Sequence, residues 1–158
     1  MLKEPSFVRD VPLQFSEPLK KISDGIKYII IHHAQERGWD IYKTHHFHQA
    51  VRKWSGIGYN FFIEANGEIL KGRGYHVGAH AYHYNEVSLG ICLTGDFDVD
   101  HPTKEQLSSA KKLCHYLMSE FNIPVSDVLG HRELPGTTKT CPGKNFNMDQ
   151  FREFISKK

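Results

Sequence analysis

The chain has 158 residues, 39% hydrophobic and 24% charged, with a formal net charge of +2 at pH 7. That length fits one domain, able to bury a substantial core without disulfides or metals as staples. So small a charge, with no Lys/Arg cluster longer than two residues, argues against nucleic acid as a partner. No run approaches the roughly 20 apolar residues that cross a bilayer, and the odd set Cys92, Cys114 and Cys141 makes no disulfide framework.

Residues 1–25 contain prolines and little periodicity, and are expected to form an extended arm before a domain over 26–158. "KYIIIHH" (27–33) is a β-branched apolar run of strand length, of the kind buried on both faces of a sheet. From Asp40, a plausible N-cap, the pattern predicts a helix reaching Trp54, with Phe47, Ala50, Val51 and Trp54 on one face and "SGIG" as its breaker. "YNFFIEANGEILKGR" reads as a hairpin about Asn66-Gly67, a dipeptide that accepts positive φ. Residues 72–87 read as a loop and "SLGICLTG" (88–95) as a second buried strand. Thr103 and Gln106 match a capping box, opening a long helix through about Phe121. "DVLGH" (127–131) is a short strand, and Asn147 caps a last helix, "MDQFREFI". Alternating strands and helices predict a single α/β domain whose mixed central sheet is flanked by helices.

"GHRELPGTTKTCPG" (130–143) places His131 and Cys141 at the two ends of a turn-rich loop. His32, at the end of the first strand, is a third candidate ligand. Catalytic zinc takes three ligands from His, Cys and carboxylates and keeps a fourth position open. Each residue alone also has a bland reading, and with eleven histidines a wide triple of this kind is a weak signature. The other cysteines, Cys92 and Cys114, lie in apolar runs and read as buried thiols, with a fourth-ligand role left open. His45, His46 and His48 read as a solvated helix face, with His45 within reach of Gln49 and a second metal as the alternative.

Four blocks together, "IIIHHA" (29–34), "KWSGIGYNFFIEANGEILKGR" (53–73), "VGAHAYHYNEVSLGICLTGDF" (77–97) and "GHRELPGTTKTCPG" (130–143), resemble the zinc-dependent N-acetylmuramoyl-L-alanine amidases, a family that includes phage-type amidases and peptidoglycan recognition proteins. The resemblance covers roughly residues 26 to 156. It implies an amidase-like fold with one catalytic zinc on His32, His131 and Cys141, and Tyr59 and Lys139 as active-site residues. It places His80 in the lining of the substrate groove, with a structural role or one behind a metal ligand as the alternative, and Asn85 in the neighbouring loop, both as candidates to bind substrate. It implies hydrolysis of the amide between N-acetylmuramic acid and L-alanine in peptidoglycan, by a monomer acting on the bacterial wall. The alternative is a non-catalytic peptidoglycan-binding module on the same fold, a reading that Cys141 speaks against because binding-only relatives typically lack that ligand. The first residues lack the apolar core of a signal peptide. The expectation is therefore an endolysin held in the cytoplasm until release, or the catalytic domain of a secreted autolysin. Tyr75, Tyr82 and Tyr84 are candidates either to stack on sugar rings or to cover the core.

Overall fold

A computed structural model describes residues 4–23 and 25–157. Five strands, β1 (Tyr28–His33), β2 (Phe61–Ile63), β3 (Ile69–Lys71), β4 (Ser88–Leu93) and β5 (Val128–Gly130), form one sheet in the order β3-β2-β4-β1-β5. β1 pairs in parallel with β4 and β5, β2 pairs in parallel with β4, and β2 and β3 are antiparallel. The sheet is mixed, as the hairpin required. Among the described residues the α-helices are α1 (Ile41–Ala50), α2 (Lys104–Phe121) and α3 (Met148–Ser156). Among the described residues no helix is long and apolar enough to cross a membrane.

Side chains alternate across a strand, and this alternation separates the core from the site. Ile29, Ile31, Phe61, Ile63, Leu89, Ile91 and Leu93 join the apolar side of α2 (Leu113, Cys114, Leu117) and of α3 (Phe151, Ile155) in the main core. Ile30, Phe62 and Cys92 fall on the opposite face with two smaller clusters. His32, Ser88 and Gly90 have the parity of that second face. β1 and β4 are buried almost throughout because each has a strand on both sides and a packed layer on both faces.

The helix ends follow local chemistry. Asp40 accepts from Lys43 N at 2.8 Å and starts α1. α1 stops at Ala50, four residues short of Trp54, because Lys53 adopts φ +62 and Trp54 N turns back to the His48 carbonyl at 3.0 Å. Thr103 and Gln106 close a reciprocal capping box, with both bonds at 3.0 Å. The β2–β3 turn differs from a two-residue Asn-Gly turn. Glu64 N bonds Glu68 O across three residues, and only Gly67 has positive φ (+90), the form in which a type I turn ends on a left-handed residue.

Residues 4–23, before β1, run largely without helix or strand and pack on the sheet. Arg9 bridges to Leu70 at the outer edge of β3 and covers an otherwise open strand edge. Val11, with Leu13 and Phe15, closes the cluster made by Ile41, Ile57, Phe62, Leu70 and Cys92.

Candidate metal centre

β1, a central strand, delivers His32, which pairs with Cys92 of β4 one residue beyond the last β5 pair, Ile31 with Gly130. Gly130 ends β5 next to β1, so His131, the following residue, starts a 3-10 turn beside His32; the two ring centroids are 4.7 Å apart. Cys141 reaches the same place from the loop that follows. One ligand atom from each of His32, His131 and Cys141 lies within 4.8 Å of the others, and His32 Nδ1 stands 3.6 Å from Cys141 Sγ. Zinc bonds of roughly 2.0–2.3 Å set a tetrahedral edge of about 3.5 Å, so the donors fit such an ion.

Arg132 shapes the Cys141 loop. Its backbone N–H donates to the Cys141 carbonyl at 2.7 Å, and its guanidinium donates to the carbonyls of Thr140, Gly143 and Phe146. Asp98 pins the loop from the other side, accepting from Thr140 Oγ1 at 3.0 Å and Lys144 N at 2.9 Å. Glu133 accepts from Gly130 N at 2.8 Å and so ties down the turn that carries His131.

The electrostatics suit a cation. Burial, with His80 and His131 close by, holds the His32 pKa well below 6.5, and burial together with Lys139 lowers that of His131. Both imidazoles are neutral at pH 7 and keep a lone pair. Burial pushes the Cys141 thiol up to about 12, against the opposing pull of the His33 backbone N–H, Lys139 and Arg132. Without a metal that thiol keeps its proton, and metal binding has to release it.

Tyr59 adjoins these three candidate ligands, its ring centroid 5.1 Å from that of His32. Burial, the neighbouring Cys92 and Cys141, and a hydrogen bond with Cys92 raise the phenol well above 10, so it stays a donor. Lys139 is exposed on the rim and lines the same cleft. The cleft beside the ligands has a volume of about 390 Å³; a second hollow of about 860 Å³ shares Trp54, Ala79, His80, His131 and Lys139 with it and continues it.

The two expected groove residues are held inward. His80 lines the cleft, but its Nδ1 is 2.9 Å from His32 Nε2 and its Nε2 is 3.2 Å from Ser88 Oγ. Asn85 spends its Oδ1 on the backbone N–H groups of His80 and Ala81, at 2.8 and 2.9 Å. The α1 histidines require a correction: His45 and His48 are buried, not a solvated face. His45 Nδ1 accepts from Ile57 N and its Nε2 meets the Gln14 carbonyl, both at 3.0 Å, and Gln49 bonds that same carbonyl instead of His45. His48 Nδ1 accepts from Gly58 N at 2.9 Å, and burial lowers its pKa to about 4. Of the three tyrosines, Tyr75 packs on the core and Tyr84 against Tyr28, while Tyr82 is 83% exposed beside the cleft.

Sequence reasoning missed Arg132, Asn60 and Ser88. Asn60, next to Tyr59, donates to the Gly74 and His76 carbonyls and accepts from Gly90 N, all at 2.7–2.8 Å. No periodicity marks such residues: Asn60 and Arg132 bond backbone groups in other segments, and Ser88 bonds the Tyr84 carbonyl and the His80 ring.

This arrangement defines a class, and comparison with known proteins agrees. Residues 23–144 match the model of the N-acetylmuramoyl-L-alanine amidase family, and the chain belongs to that family. Peptidoglycan-recognition protein LB of Drosophila melanogaster is 39% identical over 127 residues, which cover 73% of this chain and 54% of that protein; the match thus spans about half the relative's length. Among solved structures, the endolysin amidase LysCS of Clostridium intestinale superposes with a TM-score of 0.86 at 30% identity, covering 99% of each chain. A variant of Drosophila PGRP-LB in complex with tracheal cytotoxin superposes with a TM-score of 0.75 at 32% identity, covering 92% of this chain and 88% of that one.

Proposed function

We propose that the chain is a zinc-dependent amidase that hydrolyses the bond between N-acetylmuramic acid and L-alanine in peptidoglycan, with residues 26–158 as its catalytic domain. The observation that carries this reading is the convergence of His32, His131 and Cys141, with Tyr59 beside them, on one cleft. Three ligands leave the fourth position of a tetrahedral ion for chemistry. A zinc ion so held supplies a Lewis acid and acidifies water.

The remaining work falls to this chain's own groups. As water adds to the amide carbon, charge grows on the carbonyl oxygen; the Tyr59 phenol, kept protonated by burial, donates a hydrogen bond to it. The Lys139 ammonium stabilises the same charge from the rim. The joined hollows hold the glycan and stem peptide on either side of the scissile bond. A named amidase of 99% mutual coverage and a relative seen with a peptidoglycan fragment both support this assignment. The endolysin name of LysCS supports action of a monomer on the bacterial wall as an endolysin, with an autolysin domain as the alternative.

The test pairs zinc content with release of L-alanine amino termini from purified peptidoglycan, in wild type and Cys141→Ser. We expect near-stoichiometric zinc and amine release in the wild type, and collapse of both in the variant. A wild type that holds sacculi and frees no amine is instead a recognition module, the reading favoured by the 39% identity to a peptidoglycan-recognition protein.

A further inference from the structure

The amidase reading leaves a buried chain of hydrogen bonds unused, and its proton positions follow from one end. The Tyr84 carbonyl can only accept. Ser88 Oγ lies 2.6 Å from it and gives it the hydroxyl's single proton. Ser88 Oγ, 3.2 Å from His80 Nε2, is then left as an acceptor, so Nε2 carries a proton. A neutral imidazole has one N–H, which leaves His80 Nδ1 bare to accept from His32 Nε2 at 2.9 Å. His32, also neutral, is left with a bare Nδ1, the atom 3.6 Å from Cys141 Sγ.

We infer that Ser88 and His80 are positioning residues that lock the tautomer and ring orientation of His32, so that its Nδ1 lone pair faces the metal position. His80 thereby acts through His32 and not as the substrate contact expected at that place. Metal-bound histidines commonly donate their other N–H to such an acceptor, which fixes the ring and strengthens the ligand.

The fold is built around this chain. Ser88 and Gly90 are two residues apart on β4, so both face His80. A Cβ on Gly90 would stand 2.5 Å from His80 Nδ1, so any larger residue would push the ring off the sheet. Asn85 Oδ1 accepts from the His80 backbone N–H and holds it in place. His80 is 8% exposed and Ser88 fully buried, so water does not substitute for these partners.

The inference rests on the amidase reading only for the identity of the metal; the tautomers do not depend on it. Nitrogen-15 spectra of the histidine rings in the metal-free full chain should show Nε2–H tautomers at both His32 and His80. A Nδ1–H tautomer at His80 overturns the proposal. Zinc affinity by chelator competition gives the second readout. His80→Leu should weaken binding about 10- to 100-fold. His80→Asn, whose Oδ1 can accept from His32 Nε2, should recover most of that loss, whereas a purely structural role would leave the two variants alike. Equal zinc binding by the Leu and Asn variants also overturns the proposal. Should either His80 variant fail to fold, Ser88→Ala keeps the ring in place: mixed His80 tautomers and weaker zinc support the lock, and unchanged tautomers sink it. A wild type that binds no zinc defeats the amidase reading, and the ring spectra still decide the tautomers.

Discussion

Two groups of histidines, one on α1 and one at the strand ends, have opposite outcomes. His45 and His48 on α1 turn their ring nitrogens to backbone groups: Ile57 N and Gln14 O for His45, and Gly58 N for His48. His32 and His131 leave donors converging with Cys141 on an open cleft. Sequence spacing favours the first group, since His45, His46 and His48 lie within four positions on a helix. Structure favours the second, because a metal needs unspent lone pairs more than close neighbours. His80 belongs to both kinds at once: its nitrogens are spent, one on Ser88 and the other on the candidate ligand His32.

The contrast is broken most directly by removing a donor from each group. His131→Ala should abolish stoichiometric zinc and bring amine release to background, since two ligands do not hold a catalytic ion. Zinc retained at full occupancy in that variant would sink the ligand assignment. Next in size, Tyr59→Phe and Lys139→Ala should keep their zinc while turnover falls about 10²–10³-fold, the usual cost of losing one donor to a developing oxyanion. Metal analysis alongside kinetics separates these from the ligand variants; loss of zinc in either one counts against its role.

How much of this was legible beforehand depended on whether the partners were local. β1, the hairpin and the capping box of α2 follow from period and neighbouring residues, and they stand where expected. The ligand set was legible only as a weak triple until four motif blocks were read together. The fate of His45 was not legible, because its partners are the carbonyl of Gln14 in the arm and the amide of Ile57 beyond the helix. Likewise Arg132 and Asn60 read as ordinary polar residues until the fold brings carbonyls to them. Helix α1 ended early for a related reason: the turn at Lys53 serves to bring Ile57 and Gly58 back onto the helix.

His45→Ala tests the same point from the stability side. It leaves the buried Ile57 N–H without its acceptor and removes the edge contact to Phe15, with ring centroids 5.0 Å apart. We expect a loss of about 2 kcal/mol, lowering the melting temperature by roughly 4–8 °C, with zinc stoichiometry unchanged. A drop in zinc content with no change in melting would make the helix group a metal site after all.

The smallest expected effect concerns the footing of the His131 turn. Glu133 pairs with Arg152 at 2.7 and 2.8 Å and accepts from Gly130 N, and the Arg152 bond is the main cause holding its carboxyl below the ordinary value of 4.5. The unfolded chain therefore binds this proton more readily than the folded one. The contribution is fully present above about pH 4.5 and is lost as the pH falls through the lowered folded value. The pair is partly exposed, so the gain at neutral pH is under about 1 kcal/mol. Melting of wild type and Glu133→Gln should differ by a degree or two at pH 7, and the gap should close as the solution is taken from pH 5 towards pH 3. A gap that persists undiminished in acid would assign the effect of the substitution to packing around Gly130, and the turn under His131 would then be held by shape more than by charge.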